Sequence, residues 1–212
     1  MADTSAGRPQ ATMSTARLEA FSDGVIAVAI TLLVLDLHVP NPAAPGLLAR
    51  HLGEQWPYFA AYVASFLTIG VVWTNHHAMF SRLASADHFV LMLNIVLLMT
   101  IVVLPFTTSL MSAYLTAHAG QHLAAVIYGG SFLLFRLVLL VIQRHLLISR
   151  VHLMAEPPTP ALRRAILRRA AVGVVPYVLA TLGGLLSPYL TLAIVAAVAL
   201  FYSLPAPDRR AS

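Results

Sequence analysis

Cysteine and lysine are both missing from this chain of 212 residues. Without cysteine, disulfides and thiolate metal sites are excluded at once. Charge is scarce as well: 10% of the residues are charged and 59% are hydrophobic, whereas a soluble domain carries about a quarter charged residues. The mean hydropathy of +0.81 therefore places the chain in a bilayer. Enzyme signatures are absent too: there is no G-x-S-x-G, no H-E-x-x-H and no glycine-rich phosphate loop. The net charge of +5 comes with arginine as the only strong base. Those arginines flank apolar runs, an arrangement that speaks of membrane orientation and headgroup contact, not of a nucleic-acid groove.

What is present is a series of apolar runs. Leu18–Leu37, Trp56–Phe80, Phe89–Leu115 and Leu123–Leu147 come first, followed by Ala161–Leu186 and Tyr189–Leu204. A spanning helix needs about 20 residues, so the reading is an all-α membrane protein of six spans, the last a little short. Pro40 ends the first run, and Pro157, Pro158 and Pro160 break the chain before the fifth, because proline removes a helix donor and disfavours helix before it. Residues 1–16 and 206–212 read as polar cytoplasmic tails, the first of them disordered, around a six-helix transmembrane core of 17–205.

The arginines orient these spans. With the start inside, Arg8, Arg17, Arg82, Arg144, Arg150, Arg163, Arg164, Arg168, Arg169, Arg209 and Arg210 are inner, and only Arg50 is outer. That asymmetry follows the positive-inside tendency and places both termini in the cytoplasm. Arg136 falls within the fourth span, where pairing across helices and snorkelling both remain open. The stretch 163–169 reads as an inner surface beside anionic headgroups. The two three-helix halves share no motif, which speaks against a transporter built from repeats.

Polar residues inside a span are costly and so informative. The first run opens with Arg17, Ser22 and Asp23, too many polar groups for a cap alone, and reads as a network holding this helix to its neighbours. Further along, Val28, Leu32 and Leu35 share one face with Thr31 beside them. On the residues alone that stripe is lipid-facing or packed between helices. The second run carries Trp73-Thr74-Asn75-His76-His77. Adjacent helical histidines point about 100° apart, a poor chelate, so they read as hydrogen-bond partners for Ser22 or Asp23 and not as metal ligands. Asn94 and Thr107-Thr108-Ser109 read as packing hydrogen bonds, and Gly129-Gly130 and Gly183-Gly184 as points of close helix approach.

Arg17, Phe21-Ser22-Asp23-Gly24 and the apolar stretch Val25–Leu35 with Asp36 strongly resemble the lysosomal potassium channel family, whose first helix carries an R-x-x-x-F-S-D signature. The Trp/Asn/His cluster of the second run is similar to that family too, and the single six-helix unit matches its prokaryotic members. The resemblance implies a homotetrameric, potassium-preferring cation channel in a bacterial plasma membrane, with the first helices lining a central pore. It implies an apolar constriction in place of a carbonyl filter, and no T-V-G-Y-G occurs here. By position after the Phe-Ser-Asp motif, the constriction falls on Val28, Leu32 and Leu35, with Thr31 as a hydroxyl layer. Val28 is smaller than the residue usual at the first site. Arg17, Phe21, Ser22 and Asp23 would pack with Trp73, Asn75, His76 and His77. No cofactor is implied beyond permeant potassium, and the bilayer and identical subunits are the partners. The rival is a proton-conducting pore or proton-coupled transporter that uses Asp23 and His76 or His77.

Overall fold

The computed structural model describes residues 15–41 and 46–204, and every regular element among them is helical. Helix α1 (Thr15–Leu32) is extended by a 3₁₀ turn over Leu33–Asp36, and a short α2 (Leu48–Glu54) precedes the second span. That span is α3 (Trp56–Phe80), started by Pro57 in its first turn, where a missing N–H costs nothing. The third span is two helices, α4 (His88–Val102) and α5 (Leu104–Tyr114), and the fourth is α6 (Gln121–Arg144), which runs on through a wide turn over His145–Ser149. The fifth divides into α7 (Pro160–Val172) and α8 (Val175–Gly183), and α9 (Pro188–Ser203) closes the bundle.

Local chemistry sets these boundaries. Asp87 caps α4 by accepting the Val90 N–H at 2.8 Å, and Thr159 caps α7 by accepting that of Leu162. Pro105 and Pro176 lack the N–H that would continue the helix ladder, and the breaks at Val103 and at Gly173-Val174 lie just before them.

Five stretches are long and apolar enough to cross a membrane: Thr15–Asp36, Trp56–Phe80, His88–Tyr114, Gln121–Ser149 and Pro160–Gly183. Pro188–Ser203 is a shorter apolar helix. The expected runs therefore appear in order, with three corrections. Thr15 and Ala16 belong to α1 and not to a tail, the third and fifth spans are interrupted, and a helix not foreseen, α2, sits in the first connection. The calls on the remainder of both tails, with Arg8, Arg209 and Arg210, lie outside the described residues.

Helices α3 and α6 form the centre. The first packs against α9, α5 and α1, and the second against α8, α5 and α4, so that α1 lies at an edge on α3 and α4. Tyr128 of α6, fully buried, sets its hydroxyl 2.9 Å from Ser65 of α3, which in turn accepts from Thr108 of α5 at 2.8 Å. These hydroxyls answer one another where no water is at hand. At one end of the bundle the turn after α3 is pinned to the loop after α6. Ala84 N–H donates to Leu153 O at 2.8 Å, and Arg150 Nε lies 3.1 Å from Asp87. At the other end Trp56 stacks on Tyr189, and Ser109 donates to Asp36 at 2.5 Å.

Candidate pore helix and its polar anchor

Helix α1 presents two unlike faces. On the buried face Leu18, Ser22, Ile26, Ala29 and Leu33 recur at helical spacing and meet the bundle. On the opposite face Phe21 (59% exposed), Val28 (58%), Leu32 (40%) and Leu35 (69%) are left uncovered. Thr31 and Gly24 are exposed beside them. Phe21 stands seven residues before Val28, two helical turns below it on the same face. A shallow groove lined by Phe21, Gly24, Val28 and Val102 runs along this surface.

The uncovered face of α4 and α5 differs in kind. It carries Phe89, Met92, Ile95, Met99 and Phe106, large apolar side chains without interruption, with Val102 at its border on the α1 groove. The face of α1 instead interleaves a hydroxyl and a glycine. Thr31 donates to Val28 O at 2.9 Å, which leaves the oxygen's acceptor side free.

The buried side of α1 is anchored by polar bonds. His76 on α3, Asn94 on α4 and Ser22 on α1 are all fully buried. Asn94 Nδ2 donates to Ser22 Oγ at 2.9 Å, and Ser22 donates onward to Leu18 O at 2.8 Å. Asn94 Oδ1 then faces His76 Nε2 at 2.9 Å. An amide oxygen only accepts, so the His76 proton sits on Nε2. Phe80 stacks on the same imidazole with ring centres 4.2 Å apart, and among the described residues Nδ1 has no partner. Three helices are joined by three side chains.

A second contact lies beside it, nearer the helix surface. Trp73 Nε1 donates to Asp23 Oδ1 at 2.9 Å, and His77 Nδ1 lies 2.9 Å from Glu19 and 3.9 Å from Asp23. The two histidines therefore face different surroundings, as their adjacency requires. His76 enters the core and His77 follows the seam between α1 and α3.

Of the residues singled out in the sequence, the structure brings together Ser22, Asp23, Trp73, His76 and His77. It does not bring in Asn75, whose side chain donates back to Val71 O at 2.7 Å. Nor does it bring in Arg17 or Phe21, both exposed. Phe21 belongs to the stripe and not to the network. Asn94, read only as a packing bond, is the centre of the network, and Glu19 is a member not foreseen. Its signal was present, since Glu19 precedes Asp23 by four residues and so shares its face.

The helices and this buried anchor define a multi-pass α-helical membrane protein. The family model described as endosomal/lysosomal potassium channel TMEM175 matches residues 17–105, from the start of α1 into α5. A Streptomyces collinus protein named as a potassium channel is 40% identical over 200 residues, which cover 92% of this chain and 96% of that one. A solved relative is the crystal structure of a lysosomal potassium-selective channel TMEM175 homolog from Chamaesiphon minutus. It superposes with a TM-score of 0.79 at 34% identity, covering 89% of this chain and 96% of that one. The mouse endosomal/lysosomal proton channel TMEM175 is 39% identical over 112 residues, 49% of this chain and 22% of the mouse protein. The chain belongs to the TMEM175 family of ion channels.

Proposed function

We propose that the protein is a potassium-preferring cation channel, assembled as a homotetramer around an axis lined by α1. The observation that carries this reading is the uncovered face of α1, with Val28, Leu32 and Leu35 in line and the Thr31 hydroxyl beside them. Four copies of that face around an axis would form rings of aliphatic side chains. Such a ring supplies no ligand to replace the water of a passing ion, and it closes by dewetting and opens when the helices part. Thr31 oxygens would return part of the lost hydration, which favours an ion that dehydrates readily. The bacterial relatives named as potassium channels support potassium as the permeant ion. The arginine asymmetry supports an orientation with both termini inside, and the bacterial relatives support a bacterial membrane.

A second reading, proton conduction, is favoured by the names of the animal relatives. The buried anchor argues against its use as the proton path. Its middle member, Asn94, is an amide that neither gains nor loses a proton near neutral pH. Its far end is the Leu18 carbonyl, already within the helix. That reading would have to run through the Glu19–His77–Asp23 contact at the seam of α1 and α3.

The test is current through purified protein in a planar bilayer under opposed potassium and sodium gradients. A reversal potential near that of potassium, shifted toward zero by Leu32→Ala or Leu35→Ala, is the expected result. A reversal potential that follows only the proton gradient, and that moves when His76 or His77 is replaced, supports the rival reading instead.

A further inference from the structure

Arg136 lies in the middle of α6, yet among the described residues no carboxylate comes within ion-pair range of it. Its Nη2 donates to Ala170 O at 2.9 Å. That carbonyl is free because the helix ladder lapses there: Val174 N–H turns back to Ala171 O at 3.0 Å, just before Pro176. Gly173 makes the room, since a Cβ at that position would stand 2.7 Å from Arg136 Nη2. The arginine is thus seated by the break between α7 and α8.

One bond uses one of the five N–H donors of a guanidinium. The group also borders a cavity of about 410 Å³ that opens between α3, α6, α7 and α9. Arg82 and Arg169 line it with Arg136, and Val71, Phe135 and Ile166 supply apolar wall. No aspartate or glutamate is in its lining. Arg136 stands eight residues from Arg144 and so about 12 Å inward along the helix, whereas Arg82 and Arg169 are exposed at the arginine-rich end. Three positive charges, no negative one and apolar walls between spanning helices describe a receptor for an anion that carries a hydrocarbon tail.

We propose that this cavity binds an anionic phospholipid, with its phosphate held by Arg136 at depth and by Arg82 and Arg169 toward the rim, and its chain along Val71 and Ile166. The lipid would supply the counter-charge that the protein does not.

Native mass spectrometry of the purified protein, titrated with phosphatidylglycerol or phosphatidylcholine, tests this. The expected result is a retained phosphatidylglycerol adduct about tenfold tighter than that of phosphatidylcholine. Arg136→Gln should weaken the first about tenfold and leave the second unchanged. Arg164→Gln, an exposed arginine outside the cavity, should change neither. Arg136→Gln also uncaps α7, so Ile166→Trp serves as the second variant: it fills the cavity without touching the guanidinium and should lower phosphatidylglycerol retention as much. Equal binding of the two lipids would overturn the proposal, as would retention of phosphatidylglycerol by both cavity variants. An Arg164→Gln loss equal to that of Arg136→Gln would reduce the effect to general surface attraction. Displacement by inorganic phosphate at the same concentration would assign the cavity to a soluble anion instead.

Discussion

The indole of Trp73 on α3 donates to the Asp23 carboxylate on α1 at 2.9 Å, joining residues 50 apart in sequence. Asp23 is part-exposed midway along α1, and the bond fixes that helix to α3. Interhelical hydrogen bonds in membranes are worth about 0.6 kcal/mol on average and up to about 1.7 kcal/mol. Trp73→Phe keeps the ring and removes the donor. Its unfolding free energy in a denaturation series in detergent should fall by an amount in that range, and Trp73→Phe on an Asp23→Ala background, which lacks the acceptor, should cost less than on the wild type. Equal costs in the two backgrounds would mean that the pair is not coupled.

Asn94 should be the most sensitive polar position. Its replacement by leucine leaves the buried His76 Nε2–H without an acceptor, whereas Ser22 keeps its bond to Leu18 O, at about 1–3 kcal/mol for the unsatisfied group. Adding His76→Phe to Asn94→Leu should therefore recover stability, because the stranded N–H goes with it. A denaturation series on the single and double variants reads this directly, and a further loss in the double variant would contradict the network.

The glycines divide by what surrounds them. A Cβ on Gly129 would meet the Thr181 backbone at 3.0 Å, and one on Gly184 would meet Val126 N at 2.9 Å, so α6 and α8 touch backbone to backbone there. Gly129→Ala and Gly184→Ala should each lower the melting temperature by several degrees, since backbone atoms cannot give way as a side-chain tip can. At Gly24 nothing lies within 4 Å of the added carbon. Gly24→Ala should leave the fold of the subunit intact. If α1 faces its copies across an axis, the effect will appear instead in oligomer yield on native gels.

Much of this was legible in the chain itself. Apolar runs and arginine asymmetry marked the spans because each is a property of composition along one segment. The breaks inside spans were not seen, although Pro105 and Pro176 stand in the sequence, since a long apolar run hides a single missing donor. The partner of Arg136 could not be found by looking for charge, because it is the carbonyl of Ala170. Asn94 was visible as a polar residue in an apolar helix, but which helices it joins depends on how they are rotated against each other. Phe21 was grouped with its neighbours Ser22 and Asp23, whereas helix geometry sends it to the opposite face with Val28.

The central claim is that the uncovered face of α1 borders the ion path. The chain has no native cysteine, so single cysteines can be placed without background. The measurement is potassium current through Val28→Cys, Leu32→Cys and Leu35→Cys on α1, and through Met99→Cys and Phe106→Cys on the α4–α5 face, before and after a charged, membrane-impermeant thiol reagent. Only a water-exposed thiol ionises and reacts quickly. The account predicts block at the three α1 positions and none at the other two. Unaltered current at all three α1 positions, with block at Met99→Cys or Phe106→Cys, would contradict it.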